Sequence, residues 1–327
     1  MNDVKEWCLY PDRDRVAVFE ATGPGVSPVT WAEQNAERFT ARLRTAGACL
    51  LRGFDVPDAP VFSRFVRVFG EELGEYNYGS TPRSKVGDVY TSTEYPATEV
   101  IPQHNEMSYT TTWPERIWFY SAVAARTGGE TPLADGHAVH QRIPAEVRER
   151  FERHGVRYVR NYRPGLGLRW QDAFGTDDPV RVERFCAERG IETSWLDDGA
   201  LRTTEVCQAT TVHPVTGLPV WLNQAHLFHV SNLKEATRQA LLDLMPEEDL
   251  PRNAYFGDGS PIPAADLAAV RRAYQDELLA FPWQQGDLLA VDNLAMAHGR
   301  LSFEGPRTVL VAMTGTVEGR ATGEAVA

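Results

Sequence analysis

The chain has 327 residues and a formal net charge of −12, from 33 Lys and Arg against 45 Asp and Glu. With 43% apolar and 24% charged residues, it has the composition of a folded globular protein rather than of a disordered chain. The acidic balance argues against a nucleic-acid partner, because binding to phosphates needs positive charge. No apolar run approaches the ~20 residues of a membrane-spanning helix, so we expect no membrane partner.

The cysteine pattern and the two termini indicate where the protein works and how it is organised. The four cysteines lie far apart, which argues against a zinc finger and against a disulfide scaffold. The first residues lack the apolar segment of a secretory signal, so we expect a reduced, cytoplasmic protein. We find no internal repeat or long linker, and predict one domain over residues 1–317 with a flexible tail at 318–327.

The first predicted element is a helix that follows Thr30, because Thr30 and Glu33 form a capping-box pattern. It ends before Gly47, since glycine best adopts the left-handed conformation at a helix terminus. Later helices are predicted at residues 61–69, 144–153, 179–189, 233–244 and 264–279. Strands are predicted at residues 48–51, 86–95, 117–125, 156–162, 201–212, 219–223, 287–292 and 307–315.

Strands dominate the middle and the end of the chain, with helices at the start and inserted in blocks. Neither regular βα alternation nor a glycine-rich phosphate loop is present, which argues against a doubly wound dinucleotide-binding fold. The pattern favours a mainly β fold of the α+β class, an antiparallel barrel or jelly roll with helical decoration.

The segment that carries the clearest chemistry is His104-Asn105-Glu106. In an extended chain alternate side chains point the same way, so His104 and Glu106 would offer a nitrogen and an oxygen to one point. His298, just after an apolar strand, is a candidate third ligand. Two imidazoles and one carboxylate form the facial triad of non-haem Fe(II) oxygenases. Taken alone, however, an HxE pair is more often a surface hydrogen bond than a ligand set, and His298 could equally be a core residue.

Six blocks of sequence carry a family resemblance. They lie at residues 78–83, 89–96, 101–106, 128–135, 221–230 and 297–300, the last followed by Gly305-Pro306-Arg307. In this order they resemble the TauD/TfdA family of Fe(II)- and 2-oxoglutarate-dependent oxygenases, and within it the syringomycin-type amino-acid hydroxylases. The resemblance implies a double-stranded β-helix (jelly-roll) core, and a hydroxylase that uses Fe(II), 2-oxoglutarate and O2.

Position by position, the resemblance implies that His104, Glu106 and His298 bind the iron. Thr131 matches the threonine whose hydroxyl binds a carboxylate of 2-oxoglutarate. Arg307 matches the arginine that holds the distal carboxylate of this co-substrate, a role that suits the two-pronged guanidinium.

The chain departs from the family pattern in two places. Glu106 stands where Asp is more common, although several amino-acid hydroxylases of the family carry Glu. Family halogenases replace this carboxylate with a small residue to make room for chloride, so Glu106 argues against halogenation. The interval from His298 to Arg307 is shorter than in many relatives, which leaves Arg300 as an alternative carboxylate anchor or a substrate contact.

The subgroup resemblance implies an amino acid or amino-acid derivative as substrate, free or tethered to a carrier protein, in natural-product biosynthesis. Hydroxylation is the expected reaction, although desaturation or cyclisation would use the same ligands. A homo-oligomer is compatible with the sequence. The histidines His226 and His229, in block 221–230, are open between a site role and a structural one. Polar residues in or beside the blocks are candidate substrate contacts or supports for such contacts: Tyr78, Ser80, Gln103, Ser108, Asn223 and Gln224.

Two other classes of protein remain as alternatives. A catalytically silent barrel, which binds a metal or docks on a carrier protein, would have no need of Thr131 and Arg307 beside a complete ligand set. A non-redox metal hydrolase usually needs a general base beside a metal-bound water, and needs no arginine for a dicarboxylate.

Overall fold

The computed structural model describes residues 3–70, 72–74, 78–79, 83–196 and 199–319. Within these ranges, no helix combines the length and the apolar character that crossing a membrane requires. The helices are α1 Pro28–Ala46, α2 Ala59–Arg67, α3 Gly136–Arg142, α4 Ala145–His154, α5 Trp170–Phe174, α6 Pro179–Ala187, α7 Ala225–Phe228, α8 Glu235–Leu244 and α9 Ala264–Asp276. The strands are β1 Val4–Tyr10, β2 Arg15–Ala21, β3 Ala48–Arg52, β4 Lys85–Val86, β5 Val89–Thr91, β6 Ile101–His104, β7 Thr112–Trp113, β8 Arg116–Val123, β9 Thr127–Gly128, β10 Leu133–Asp135, β11 Val156–Tyr162, β12 Glu192–Trp195, β13 Leu201–Cys207, β14 Thr210–Val212, β15 Pro219–Trp221, β16 Arg252–Phe256, β17 Leu288–Asp292, β18 Met296–Arg300, β19 Phe303–Glu304, β20 Thr308–Thr314 and β21 Val317–Glu318.

The largest layer is an eight-stranded sheet in the order β1-β2-β3-β17-β8-β20-β5-β4. Its neighbouring strands are antiparallel except β2 and β3, which run parallel. The central strands are apolar on both faces, because both faces are covered. On β17, Leu288 and Ala290 enter the cluster under α1 and α2, whereas Leu289 and Val291 enter the cluster on the opposite side.

Aromatic side chains fix α1 and α2 on the first face of this sheet. The ring centroid of Phe39 in α1 lies 6.2 Å from that of Phe65 in α2 and 6.1 Å from that of Trp118 in β8. Aromatic pairs at these separations add to the stabilisation from burial alone. The two helices therefore close this side of the sheet and leave the site to the other side.

The small sheet β10-β18-β6 forms the middle layer of the molecule. Leu133 and Met296 face the large sheet, while their neighbours Ala134 and Ala297 join the core of the region beyond. That region comprises most of the chain between β10 and β17, and contains a four-stranded sheet β12-β13-β11-β16. The small sheet is thus buried on both faces, with the large sheet on one side and this insertion on the other.

The predicted and observed boundaries differ where local signals compete. Ser27 rather than Thr30 caps α1, with its side chain accepting a hydrogen bond from the Thr30 backbone N–H at 3.3 Å. Pro28 favours this earlier start, since the first turn of a helix needs no proline N–H. The helix ends at Gly47, as predicted, with φ at 72°.

Two predicted strands are each divided in the structure. The run at 86–95 becomes the hairpin β4–β5, because Gly87 and Asp88 form its turn. The run at 201–212 becomes β13 and β14. The hairpin of β1 and β2 and the short helices α3, α5 and α7 were not predicted, since none carries a long periodic pattern.

Candidate active site

The structure brings His104, Glu106 and His298 together from the end of β6, the turn after it and β18. One possible ligand atom from each residue lies within 4.8 Å of the other two. The imidazole centroids are 4.8 Å apart, and His298 Nε2 lies 3.6 Å from Glu106 Oε2. Two imidazoles and one carboxylate at this spacing are a donor set that suits a ferrous ion with open coordination positions.

The hydrogen bond of His104 sets its tautomer for metal binding. Its Nδ1 lies 2.8 Å from the carbonyl oxygen of Pro102, so Nδ1 donates and Nε2 keeps its lone pair. Burial, followed by the neighbouring His298, lowers the pKa of His104 to about 4. The ring is therefore neutral at physiological pH, which is the form that binds a metal.

Glu106 lies in a turn that follows β6. The prediction that His104 and Glu106 converge as alternate residues of one strand is therefore wrong. The strand β6 ends at His104, and the buried Asn293 side chain holds the turn that follows. Asn293 Oδ1 accepts from Glu106 N at 2.7 Å, and Asn293 Nδ2 donates to Glu106 O at 3.1 Å. Asn105 Nδ2 in turn donates to Asn293 O at 2.6 Å. Neither asparagine was singled out by the sequence.

A second missed residue, Arg83, forms a buried ion pair with Glu106. Arg83 Nη2 lies 2.8 Å from Glu106 Oε2, and the two side chains are 5% and 4% exposed. Burial by itself raises the pKa of Glu106, but Arg83 and the two imidazoles outweigh it and hold this pKa well below its usual range. The carboxylate is therefore ionised. The only sequence signal for Arg83 was its place at the end of block 78–83.

The pairing of β18 with β6 places the two imidazoles side by side. His298 lies opposite His104 in register, and the pairing shifts before Arg300. A Cβ at Gly299 would lie 2.5 Å from the carbonyl oxygen of Ile101, so only glycine permits this close approach. The ring centroid of His298 is 5.3 Å from that of Phe119, which supports it from the large sheet.

An inner cavity opens between His104, His298 and the large sheet, with an empty volume of about 400 Å³, open solvent included. Thr131 and Arg307 line it, together with Arg83, Ser92, Thr93, Ile101, Phe119, Gly299, Arg300, Val309 and Val311. The Thr131 hydroxyl accepts from Trp283 Nε1 at 3.2 Å, and Arg307 Nε donates to Gly129 O at 2.9 Å. Burial, followed by Arg300, lowers the pKa of Arg307 to about 10, so it remains a cation at neutral pH.

The Arg300 guanidinium donates hydrogen bonds to backbone carbonyl groups. Its two terminal nitrogens donate to the carbonyl oxygens of Tyr95, Pro96 and Glu99 at 2.8, 2.6 and 2.7 Å. These bonds fold the loop at 95–99 against β18. Arg307 is consequently the better placed of the two arginines to receive a carboxylate in the inner cavity.

An outer cavity also borders His104 and has an empty volume of about 1520 Å³, open solvent included. It shares Arg83, Thr93, Ile101 and His104 with the inner cavity. Its other lining residues come mostly from loops and from the insertion: Tyr95, Thr98, Glu99, Val100, Pro102, Glu106, Tyr109, Gln224, Leu227, Asn232, Leu233, Lys234, Thr237 and Arg252.

The six predicted substrate contacts are placed differently from one another. Gln224 lines the outer cavity, while Ser80 lies outside the described residues. The other four line neither cavity. They are buried and form hydrogen bonds within the protein: Gln103 with Tyr274 O, Ser108 with Asn105 O, Asn223 with Ala209 O, and Tyr78 with the Thr203 hydroxyl.

The two histidines of block 221–230 have structural surroundings. His226 is buried, its Nε2 lies 3.0 Å from Gln103 O, and its ring stacks on Tyr274. Burial lowers the pKa of His226 to about 3, so it is neutral. It supports β6 from behind, while His229 caps the short helical turn at Val230–Asn232.

Comparison with known proteins identifies the family. The sequence model described as "Taurine catabolism dioxygenase TauD, TfdA family" matches residues 12–314. The dapdiamide synthesis protein DdaC of Enterobacter agglomerans is 42% identical over 272 residues, 83% of each chain. A clavaminate synthase-like protein of Arabidopsis thaliana is 33% identical over 283 residues, 83% of this chain and 82% of that one.

Solved structures agree on the fold. PvcB from Pseudomonas aeruginosa superposes with a TM-score of 0.55 at 18% identity, over 96% of this chain and 91% of that one. AAD-2, solved with Mn(II) and N-oxalylglycine, gives a TM-score of 0.54 at 13% identity, over 96% and 98%. These likenesses confirm the predicted jelly-roll core with helical decoration. The chain therefore belongs to the TauD/TfdA family, and this confirms the predicted enzyme class, an Fe(II)- and 2-oxoglutarate-dependent dioxygenase.

Proposed function

We propose that this dioxygenase hydroxylates an unactivated C–H bond of an amino acid or amino-acid derivative, in the biosynthesis of a natural product. The observation that carries the proposal is the His104–Glu106–His298 cluster between two unlike cavities. The inner one has a threonine and an arginine suited to a dicarboxylate. The outer one is larger and combines apolar with polar residues in its wall, as small-molecule sites do.

The relatives support a biosynthetic role. DdaC is named for dapdiamide synthesis, and PvcB is described as an Fe, alpha-ketoglutarate dependent oxygenase from an isonitrile synthetic pathway. The substrate is then an amino-acid-like molecule, free or bound to a carrier protein. We further propose that residues 1–317 act as one catalytic domain and that the enzyme works in the cytoplasm, where its four free cysteines stay reduced.

The described residues divide the work of the proposed reaction. His104, Glu106 and His298 would hold the iron, and Thr131 and Arg307 would hold 2-oxoglutarate. When bound, the iron and 2-oxoglutarate would supply oxidative decarboxylation of 2-oxoglutarate to succinate and CO2, coupled to insertion of an oxygen atom from O2 into the substrate. Asn293 and Arg83 position Glu106, and the Pro102 carbonyl orients His104. Phe119, Val309 and Val311 give the inner cavity an apolar wall, which would help to keep water from the reacting centre.

The proposal is tested by a screen of free and carrier-bound amino acids with Fe(II), 2-oxoglutarate and O2. We expect succinate release to be stimulated by the true substrate, and the product to gain the mass of one oxygen atom. A product lighter by two hydrogens would indicate desaturation instead. Turnover that persists without O2 would contradict an oxygenase, and a protein that never releases succinate would be a silent barrel.

A further inference from the structure

Arg252 is an arginine of the outer cavity with no charged partner in the described part of the chain. It begins β16, is partly buried, and lines the cavity near Tyr109 and Gln224. Its guanidinium carbon lies 5.3 Å from the ring centroid of Phe228, and its nitrogens make no hydrogen bond or ion pair with the described residues. These nitrogens are not among the fully buried polar atoms, so they can pair with an acceptor that enters the cavity.

The other cations of this cavity are already engaged. Arg83 pairs with Glu106, and Lys234 Nζ lies 2.6 Å from Glu99 Oε1 at the solvent-exposed edge. Arg252 thus differs from both. Some other arginines among the described residues also lack such a partner, but they are exposed to solvent, whereas Arg252 is partly buried in the wall of a cavity.

A second arginine increases the positive potential at the same place. Arg160 on β11 lies directly opposite Arg252 in the antiparallel pairing of β11 and β16. It is buried, donates to the carbonyl oxygens of Tyr78 and Gly79, and stacks 5.5 Å from the Tyr109 ring centroid. Like charges directly opposite one another on paired strands destabilise a sheet. An anion bound at Arg252 would relieve this repulsion.

We propose that Arg252 binds an anionic group of the substrate, a carboxylate or a phosphate, in the outer cavity. This inference rests on the proposed function and names the chemistry that the substrate must carry. The enzyme then has two separate anion sites, with the co-substrate at Arg307 in the inner cavity and the substrate at Arg252 in the outer one. Gln224 and Asn232 line the same cavity and supply neutral polar groups, while Leu227 and Leu233 offer apolar surface to the rest of the molecule.

The anionic group has two candidate sources that the test must separate, the carboxylate of a free amino acid and the phosphate of a pantetheine arm. The probes are the twenty proteinogenic L-amino acids, each supplied as free acid, as carboxamide and as aminoacyl thioester of pantetheine with or without its 4′-phosphate. Each is scored by stimulated succinate release and, on the iron-free protein, by the shift in melting temperature. The variants are Arg252→Gln and Arg252→Lys, with Arg157→Gln as control on the adjacent strand, outside both cavities.

We expect Arg252→Gln to raise the half-saturating concentration of the anionic probe about 10- to 100-fold, the usual worth of a charge-assisted hydrogen bond. Arg252→Lys should recover part of this loss, and the half-saturating concentration of 2-oxoglutarate should stay within about twofold, since Arg307 rather than Arg252 lines the inner cavity. If Arg252→Gln raises the half-saturating concentration of the free acids but not of their carboxamides, the bound group is a carboxylate. If Arg252→Gln raises it only for the phosphorylated thioesters, the bound group is a phosphate.

The proposal is overturned if Arg252→Gln changes the half-saturating concentration of no probe, or if it raises that of uncharged and anionic probes equally. Melting curves of the three variants guard against a folding defect, and Arg252→Lys keeps the test decisive if Arg252→Gln does not fold. Failure of the proposed function itself looks different. In that case the unaltered protein releases no succinate from 2-oxoglutarate under any condition, whatever residue stands at position 252.

Discussion

The inner and outer cavities meet at His104 but are built from different kinds of secondary structure. The inner cavity takes Phe119, Val309, Val311 and His298 from strands whose other residues pack in the core of the two sheets. The outer cavity takes most of its wall from the loop at 93–100 and from residues 224–237 of the insertion. The inner cavity is therefore formed largely by strands of the core, whereas the outer cavity is formed mostly by a loop and by the insertion.

This difference indicates how one scaffold can keep its cofactor chemistry while changing its substrate. Strand residues cannot move without disturbing close-packed neighbours on both faces of the sheet. Loop residues are held by fewer contacts, such as the three carbonyl bonds from Arg300 to the loop at 95–99. We expect substitutions in the inner cavity to affect every substrate alike, and those in the outer cavity to affect some substrates more than others.

The largest effect is expected for His104→Ala, because His104 belongs to both cavities. Loss of one of three metal ligands should reduce succinate formation by at least ~10³-fold, with and without substrate. Fe(II) affinity, measured by equilibrium dialysis, should fall in parallel. His154→Ala, outside both cavities, is the matched control. Full substrate-dependent succinate formation by His104→Ala would remove the iron assignment.

The next largest effect is expected for Arg307→Gln, which tests the inner cavity alone. We expect the KM for 2-oxoglutarate to rise about 10- to 100-fold, because the distal carboxylate loses a charge-assisted partner. The KM for substrate should change little. The comparison variant is Arg300→Gln, which should instead lower the melting temperature by freeing the loop at 95–99. A rise in the KM for 2-oxoglutarate with Arg300→Gln, but not with Arg307→Gln, would exchange their roles.

Asn293→Ala tests the link between the large sheet and the metal ligands. Its side chain is fully buried and bonds to both backbone groups of Glu106 and to the carbonyl of Pro114. Removing it should cost about 2–4 kcal/mol of stability, since buried partners are left unsatisfied, and should lower Fe(II) affinity about tenfold. Denaturant unfolding and metal titration measure the two effects. Asn293→Asp, which keeps the acceptor for Glu106 N, should lose less Fe(II) affinity.

The smallest effect on turnover is expected for Glu205→Gln, on strand β13 of the insertion. Burial raises the pKa of Glu205 to about 7, although its Oε1 accepts a hydrogen bond from Thr111 N at 3.1 Å. The folded protein therefore binds more protons than the unfolded chain between about pH 4.5 and 7, and its stability falls as pH rises through that range.

Glu205→Gln removes this dependence. We expect the variant to be more stable than the unaltered protein by about 2–3 kcal/mol at pH 8, and to lose this advantage below about pH 4.5. Urea unfolding across this pH range is the measurement, with Glu192→Gln, an exposed glutamate of the same sheet, as control. Turnover at saturating 2-oxoglutarate should stay within about twofold, because Glu205 lines neither cavity of the site. A pH-independent difference in stability would contradict the role of Glu205.

Short local patterns of residues were enough to locate several strands and the metal ligands. Continuous apolar runs located β3, β8 and β17, because strands buried on both faces need apolar residues on both. The β-branched and aromatic residues of β11 located that strand. The blocks around His104, Glu106 and His298 indicated the ligand set and the family. Thr131 and Arg307 stay predictions for the co-substrate, made from the same blocks and consistent with the cavity that they line.

The residues that hold and surround those ligands became apparent from the folded chain alone. Asn105 and Asn293 stand 188 positions apart, and Arg83 meets Glu106 from another loop, so no local pattern relates them. The same holds for Arg252, whose significance comes from the absence of a partner within the described residues. A hydrogen-bonding group can be read from a sequence, but whether it is satisfied depends on what the fold places beside it.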